Sequence, residues 1–386
     1  MNNRILRALP LFFLVTRFAL LLSFSVEGLR GYGDFIHFYR LAGMGRPYID
    51  LWVEFPPLFP FLSSILFRLT GGRQHAYDYL LAILLTLFQA GSIAVFVRLV
   101  QRVYSEQWQL LRALMYTALL SGIAYGWWYF DPMAEFFMLL GILWLLQGKD
   151  NRSGLALAAG VLTKWFPALV LPLAWKRRPL RRALRLTLLA VGIPLLVYAG
   201  LYLASPRMTL ASVSSQGSKG SWETVWALID GNLSTGNFGP ELERYQPENA
   251  GILRGQPARL PPWLTIIPFA VLGTWFWWRA RLDDDRAAMA FLGLTWCLFL
   301  LWSPGWSTQW VFYLLPFILL ALPEREALLF ALTLVFINLL EWPVLLSRGY
   351  NWGLWLTITI RTLLIVLLAV AFWQEVKREG DISVVG

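Results

Sequence analysis

Long apolar runs alternate with short polar segments along almost the whole chain. A helix needs about 20 apolar residues to cross a bilayer, and ten of the runs have this length or come near it. We predict spans at residues 9–26, 78–97, 110–128, 132–147, 183–204, 261–278, 287–302, 310–322, 327–345 and 352–373. Two further apolar stretches, 56–70 and 154–175, are short or interrupted, and their pattern alone leaves their course open.

The basic residues decide these two stretches, because cytoplasmic loops of membrane proteins are enriched in Lys and Arg. With Arg4 and Arg7 inside, the basic residues that follow residue 97 fall inside only if 56–70 does not cross. Basic clusters flank 154–175 on both sides, which favours a re-entrant hairpin that turns at Lys164-Trp-Phe-Pro167. We therefore predict an all-α polytopic membrane protein with about ten transmembrane helices, one re-entrant hairpin and cytoplasmic termini.

The composition agrees with a membrane protein and excludes other classes. Hydrophobic residues make up 58% of the chain and charged residues 15%, whereas soluble domains carry about a quarter charged residues. Basic cytoplasmic loops explain the net charge of +10, so nucleic-acid binding is not expected. The single cysteine, Cys297, excludes an internal disulfide. Residues 9–26 could pass for a signal peptide, but Arg17 and the lack of a small-residue cleavage site favour a span.

With this topology, two long loops face outward, at residues 27–77 and 205–260, within a single membrane-embedded domain spanning 1–386. Apolar residues recur at helical spacing from Phe35 to Gly43, which predicts an amphipathic helix on the membrane surface. A second short apolar helix is predicted to follow and to end near Thr70. The chain has 21 Trp residues, many near predicted span ends, as in an interfacial aromatic belt and, secondarily, a sugar-stacking surface.

Three charged residues of the outward face are candidates for chemistry. Asp34 follows Gly33 at a predicted helix start, where an N-cap is the ordinary role of an acid. Asp131, directly before a proline, has the same alternative. Lys164 lies at the turn of the predicted hairpin, and a lysine at a broken helical element lines a cavity or binds an anion more often than it snorkels.

Other charges and motifs are interpreted as structural or are rejected. Glu341, within a predicted span, is expected to form an ion pair with Arg17 or Arg361. The segments 31–34 and 77–78 mimic intramembrane aspartyl proteases, but their order is reversed and Asp34 lies in a loop, so the two acids could not easily form a buried dyad. Residues 217–220 lack the spacing of a phosphate-binding loop.

Eight short segments, spread over most of the chain, form a recognisable series. They are Gly33-Asp-Phe, Arg46-Pro-Tyr-Ile-Asp50, Val53-Glu-Phe-Pro-Pro-Leu-Phe59, Phe130-Asp-Pro132, Ala159-Gly-Val-Leu-Thr-Lys-Trp-Phe-Pro167, Trp302-Ser-Pro304, Gln309-Trp310 and Leu315-Pro316. In these segments and their order the chain resembles the GT-C superfamily of membrane glycosyltransferases, and most of all the bacterial polyprenyl-phosphate-mannose-dependent mannosyltransferases.

The resemblance implies roles for particular residues. Asp34 matches the catalytic base in the first external loop, and Lys164 is the best match to the cation that holds the lipid phosphate. Arg348 and Arg30 are possible helpers of Lys164. The residues expected to contact acceptor or sugar are Asp131, His37, Glu54, Trp222 and Gln309. Some relatives carry paired acids in the first loop, as a metal would need, but Asp34 is followed by Phe and Ile, so no metal or other cofactor is expected.

The implied reaction moves a sugar, mannose in the most similar enzymes, from a polyprenyl-phosphate donor to a hydroxyl of a glycolipid, glycan or protein. It would take place at the outer face of the plasma membrane, in the cell envelope, with inversion at the anomeric carbon. The competing class is a transporter or flippase for a polyprenyl-linked glycolipid. Paired broken spans in two similar halves of the chain would favour this class. One broken element and no repeat are visible, and the acids gather on the outward face.

Overall fold

The computed structural model describes residues 2–234, 236 and 238–378. Within these residues the chain is helical, and extended backbone pairs only at three isolated bridges. The α-helices are α1 Asn2–Ser23, α2 Phe35–Met44, α3 Leu58–Leu69, α4 Gln74–Val103, α5 Glu106–Gly122, α6 Tyr125–Trp128, α7 Asp131–Leu146, α8 Asp150–Thr163, α9 Leu171–Arg177, α10 Leu180–Ala204, α11 Pro206–Ser218, α12 Val225–Asp230, α13 Pro262–Arg279, α14 Asp285–Trp302, α15 Val311–Ala321, α16 Glu324–Leu339 and α17 Leu354–Arg378.

Shorter helical turns connect several of these helices. The 3₁₀ segments are Val26–Gly31, Phe166–Val170, Glu241–Tyr245, Pro247–Gly251, Thr308–Trp310, Leu346–Arg348 and Asn351–Gly353. A π-helical segment, Leu340–Leu345, continues α16. The prediction of an all-α polytopic membrane protein is confirmed.

Six helical segments of the described chain are long and apolar enough to cross a membrane. They are Asn3–Ser23, Gln74–Val103, Leu180–Ala204, Asp285–Trp302, Glu324–Arg348 and Asn351–Arg378. The other four predicted spans also form helices, namely α5, α7, α13 and α15. Three of these four have 17 residues or fewer, and α15 has 11. Six of the predicted crossings therefore have helices of sufficient length, and the total of about ten crossings stays a prediction.

The first long loop, residues 27–77, folds as its sequence pattern predicts. It contains α2 and then α3, and these two helices pack against each other. With 12 residues α3 rises about 18 Å, well short of a hydrocarbon core about 30 Å thick. Residues 56–70 are therefore too short to cross as a helix, in agreement with the argument from basic residues.

The predicted hairpin is broken at the expected position. The helix α8 ends at Thr163, Lys164 has extended backbone, and the 3₁₀ segment Phe166–Val170 leads to α9. Whether the two arms return to one side of the membrane stays a prediction.

The chain comprises two compact units, and the single-domain assignment stays a prediction. The first unit contains residues 1–168, 179–218 and 238–252. In it α4 packs against α1, α5 and α7, and α8 packs against α7 and α10. The short segment 238–252 of the second long loop thus belongs to the same unit as the whole first loop.

The second unit contains residues 169–178, 219–237 and 253–386. Its centre is α15, whose eleven residues are all buried. The helix α14 packs against α13, α15 and α17, and α16 packs against α15 and α17. No residue of α13 is buried, as expected for a helix that faces lipid.

Glycine permits the closest approach between α8 and α10. A Cβ atom on Gly154 would lie 2.8 Å from the Cβ of Leu189 and 3.0 Å from the carbonyl oxygen of Leu186. Small residues allow membrane helices to pack with their backbones in near contact. The position of α8, which ends just before Lys164, therefore depends on this glycine.

We expect Gly154→Ala to destabilise the protein by about 1–3 kcal/mol, because the added methyl group overpacks the α8–α10 contact. Gly200→Ala on α10 is the matched control, since a Cβ there meets nothing within 4 Å. The control should be neutral or gain up to about 1 kcal/mol from helix propensity. Thermal unfolding in detergent measures both variants, and equal stability of the two would contradict the packing assignment.

Candidate active site

Asp34 is held at the start of α2 by its backbone. The amide of Asp34 donates a hydrogen bond to the carbonyl oxygen of Trp128 at 3.2 Å, and the Tyr32 ring stacks on the Trp128 ring at 4.8 Å. Gly33 between them has φ +59°, and a Cβ there would lie 2.7 Å from the Cβ of Trp128. A glycine is therefore needed where the chain turns over Trp128 towards Asp34.

The N-cap interpretation of Asp34 is not what the structure shows. The residue occupies the N-cap position of α2 with φ −97° and ψ 8°, but its side chain makes no capping hydrogen bond. Capping is the ordinary reason for an acid at a helix start, so this position calls for another explanation.

An aromatic cluster connects α2 to the start of α7. Phe130 stacks on Phe59 at 4.2 Å between ring centroids, and it meets Phe38 and Phe55 edge-on at 5.6 and 5.1 Å. Such pairs add to the stability gained by apolar burial. The cluster Phe38/Phe55/Phe59/Phe130 fixes the first loop against the residue that precedes Asp131.

Lys164 and Asp131 form a buried ion pair. The Nζ of Lys164 donates to Oδ1 and Oδ2 of Asp131 at 2.7 and 2.8 Å, with side-chain exposures of 15% and 1%. The same Nζ lies over the rings of Phe130 and Phe166 at 5.2 and 5.5 Å. The ammonium group is thus oriented by one carboxylate and two aromatic faces.

Asp34 and Lys164 are both attached to the short segment 128–131. Asp34 bonds to the carbonyl of Trp128, and Lys164 bonds to the carboxylate of Asp131, three residues further on. The predicted base and the predicted phosphate-binding cation are therefore both bonded to one four-residue segment of the first unit, although they are far apart in the chain.

His37 and Glu54, two predicted sugar contacts, belong to an ionic network between the two long loops. His37 lies one turn after Asp34, and its Nε2 faces Glu54 at 3.0 Å while its Nδ1 faces Glu241 at 3.3 Å. Arg244, whose side chain is 1% exposed, donates from NH2 to Glu54 at 3.2 Å and lies over the Trp52 ring. The first loop is thereby clamped to residues 238–252.

The network sets the protonation of its members. Burial alone would lower the pKa of His37, but the hydrogen bond and charge of Glu54, the charge of Asp34 and the hydrogen bond of Glu241 raise it. Burial alone would raise the pKa of Glu54, but His37 and Arg244 bring it down to about 2. Both ring nitrogens of His37 face carboxylates, so the doubly protonated ring is favoured.

Arg30, a predicted phosphate contact, forms an ion pair with Asp78. Its guanidinium pairs with Asp78 at 2.5 Å, and the side chain of Asp78 is fully buried. Removing Arg30 from this pair would leave a buried carboxylate without its cation, which favours a structural role.

The second unit holds the other three predicted contacts, Trp222, Gln309 and Arg348. Trp222 offers little ring face for a sugar, since Lys219 lies 3.7 Å from its centroid and a Cβ on Gly305 would lie 2.2 Å from the ring. Gln309 is buried, and its Oε1 has no hydrogen-bond partner among the described residues. Arg348 is exposed at the end of the 3₁₀ segment Leu346–Arg348. Their sugar and phosphate roles stay predictions.

The buried ion pair of Glu341 is with Arg361, and not with Arg17. Arg361 also donates to the backbone carbonyl of Glu223 and lies over the Trp306 ring. Arg17 instead donates to the carbonyl oxygen of Ile123 at 2.9 Å. Of the two pairings expected from the sequence, the structure contains the one within the second unit.

Two members of these networks were not expected from the sequence. Arg244 stands in a polar stretch, Glu241-Leu-Glu-Arg-Tyr245, that has no motif, and its partner Glu54 is 190 residues away. Glu223, which is buried and has φ +52°, is likewise not part of any motif in the sequence. The one available signal was an isolated basic residue among acids in a loop predicted to be external.

The part of the chain that the structure describes contains no group of three or more His, Cys, Asp or Glu side chains able to hold a metal ion. The expectation that the reaction needs no metal stays a prediction.

The clamp between the loops should weaken as pH rises. Because the folded-state pKa of His37 is raised, its stabilisation is complete below about 6.5 and is lost as pH increases through the raised value. We expect His37→Gln to lower stability by about 1.5–3 kcal/mol at pH 6 and by less at pH 9. Thermal unfolding of both proteins at each pH measures the difference.

His75→Gln is the control, since His75 pairs with Glu27 at an exposed site where both side chains are about half exposed or more. Its effect should be small at every pH. An effect of His37→Gln that stays constant from pH 6 to pH 9 would contradict the ionic clamp.

Comparison with known proteins shows that residues 52–304 match the profile of glycosyltransferase family 87. The matched region contains Glu54, Asp131 and Lys164 and begins after Asp34. No curated protein and no solved structure matches the chain. The match extends over more than half of the chain and joins the apolar helices in pointing to a membrane enzyme. The chain belongs to glycosyltransferase family 87 and is a multi-pass membrane glycosyltransferase.

Proposed function

We propose that the protein transfers a sugar, in the first instance mannose, from a polyprenyl-phosphate donor to an acceptor hydroxyl at the outer membrane face. The acceptor would be a glycolipid, glycan or protein of the cell envelope. The main support for the proposal is a pair of hydrogen bonds to the segment 128–131. Through these bonds Asp34 and Lys164 are both attached to the same part of the first unit.

Asp34 supplies the proton acceptor. A sugar hydroxyl has a pKa far above 7 and attacks poorly until a fixed carboxylate accepts its proton. As the hydroxyl oxygen bonds to the anomeric carbon, the bond from that carbon to the phosphate oxygen breaks, and the proton passes to Asp34. Attack opposite the leaving phosphate inverts the anomeric centre, through a transition state with oxocarbenium character.

Lys164 stabilises the leaving group. Negative charge grows on the polyprenyl phosphate as the glycosidic bond breaks, and a fixed cation in a water-poor site lowers the barrier. Asp131, expected from sequence to orient acceptor hydroxyls, acts in this proposal as a positioning residue, since both its oxygens accept hydrogen bonds from Lys164. A lipid tail would lie in the bilayer while its phosphate reaches Lys164.

The loops supply the remaining parts of the site. The helices α2 and α3 hold Asp34 at the membrane surface, and the clamp through Glu54, His37, Glu241 and Arg244 closes the first loop against residues 238–252. The outer face is supported by the predicted topology, in which basic segments lie inside, and the plasma membrane by the resemblance to bacterial mannosyltransferases. Membership of a glycosyltransferase family favours this reaction over lipid transport.

We expect Asp34→Asn to lower the transfer rate by about 10²–10⁴-fold, because the amide cannot accept the proton. Donor binding should persist, since the amide keeps the size of the side chain. Turnover of purified protein with polyprenyl-phosphate mannose, read by mass spectrometry of the products, measures the rate. The control is Asp50→Asn in the same loop, where an exposed acid pairs with Arg46. Unchanged turnover in the Asp34→Asn variant would remove the proposed base.

Lys164→Met should lower transfer by about 10²–10³-fold and weaken donor binding, because the phosphate loses its cation. The change also removes the ammonium group that pairs with the buried carboxylate of Asp131, and breaking a buried pair costs about 3–5 kcal/mol, so misfolding must be separated from lost chemistry. The double variant Lys164→Met/Asp131→Asn removes both charges and should recover folding without recovering transfer. Transfer restored in the double variant would show that the pair is only structural. Lys377→Met, at an exposed lysine in the last turn of α17, is the control.

A further inference from the structure

A basic cavity lies at the beginning of α8 and α10, in the first unit. Its volume is about 650 Å³, and its lining is Gly148, Lys149, Asp150, Asn151, Arg152, Arg182 and Arg185. Four of these residues are cations and one is an acid. The candidate active site does not use any of them.

One cation of the cavity is neutralised, and three are not. Arg182 pairs with Asp150 and donates to the carbonyl oxygen of Gly148 at 3.0 Å. Lys149, Arg152 and Arg185 are exposed and, within the described parts of the chain, form neither an ion pair nor a side-chain hydrogen bond. Three like charges around one cavity repel each other, and an anion between them would relieve that repulsion.

Apolar side chains continue from the cavity along the helices. Leu155 is 51% exposed and follows Arg152 by three residues on α8. On α10, Leu188 is 70% exposed and follows Arg185 by three residues. Residues three apart lie on the same face of a helix, so each unpaired arginine has an exposed leucine directly beyond it. A ligand that fits this surface has an anionic head and an apolar chain.

The cavity is separate from the candidate active site. Asp150 begins α8 and Lys164 directly follows its end, so the 14-residue helix puts about 21 Å between them. In the predicted topology the basic end of α8 faces the cytoplasm, where the leaflet carries anionic lipids.

We propose that this cavity binds the phosphate group of an anionic glycerophospholipid of the inner leaflet. Arg152 and Arg185 contact the phosphate, since the planar guanidinium matches phosphate oxygens in a bidentate arrangement. Lys149 adds charge, and the acyl chains lie along Leu155 and Leu188. Basic cavities between transmembrane helices on the cytoplasmic side are suited to such head groups. This site is independent of the proposed sugar transfer.

The test is lipid binding to the purified full-length protein in detergent, measured by native mass spectrometry. Phosphatidylglycerol should bind at least tenfold more tightly than phosphatidylcholine. Arg152→Gln/Arg185→Gln should lower phosphatidylglycerol affinity by about tenfold or more, since each arginine near an anionic surface contributes about 1 kcal/mol. The matched control is Arg279→Gln/Arg281→Gln, which removes two exposed arginines also predicted to be cytoplasmic; its affinity should stay within twofold of the unmodified protein.

Two further arms identify the ligand. Leu155→Gln/Leu188→Gln should weaken phosphatidylglycerol binding while the charge of the cavity is unchanged. Inorganic phosphate at millimolar concentration should compete poorly, since it lacks the apolar chain. The proposal is overturned if the arginine variant binds as the control does, if the two phospholipids bind equally, or if inorganic phosphate displaces the lipid completely. Equal thermal unfolding of the two arginine variants ensures that lost binding is not lost folding.

Discussion

The ion pair between Lys164 and Asp131 is the interaction on which the first unit depends. It joins the first residue of α7 to the residue that follows α8, and these helices are linked at their other ends by a turn of three residues. A short turn closes one end of the α7–α8 pair, and the ion pair closes the other. Burying two charges is costly unless they are well paired, so neither charge could be kept alone in this environment. The pairing fixes the lysine in place, as its proposed role at a lipid phosphate requires.

A second group of interactions organises the two long loops. The aromatic cluster supports α2 and α3, while the ionic network of Glu54 ties α2 to residues 238–252. The two groups are in contact, since the ring of His37 lies 6.4 Å from the ring of Phe55. One group acts by charge and the other by apolar burial. This support suits the proposed role of Asp34, since a functional side chain needs a rigid element beneath it.

Much of this architecture follows from the sequence, because it is encoded locally. The span-length runs, the helical spacing from Phe35 onward and the break at Lys164 each leave a pattern within about 20 residues. The ionic network is different, since Arg244 and Glu54 are paired by tertiary folding alone. The pairing of Asp131 is a similar case: its proline neighbour indicates a helix start, but only the fold reveals that Lys164 lies within 2.8 Å of it. The close packing of Gly305 against the Trp222 ring could not be predicted either, because the two residues are far apart in the chain.

The ionic clamp between the two long loops has a consequence for biogenesis. Glu54 and Arg244 are separated by 190 residues, and at about 5–20 residues per second the ribosome needs about 10–40 s to make the intervening chain. During that interval α4, α5, α7, α8 and α10 leave the ribosome, while Glu54 has no guanidinium partner. The ionic contacts of the first loop with residues 238–252 can therefore form only after the later segment has been made. Completion of this contact is thus a late step of synthesis, set by the order of the chain rather than by the speed of local helix formation.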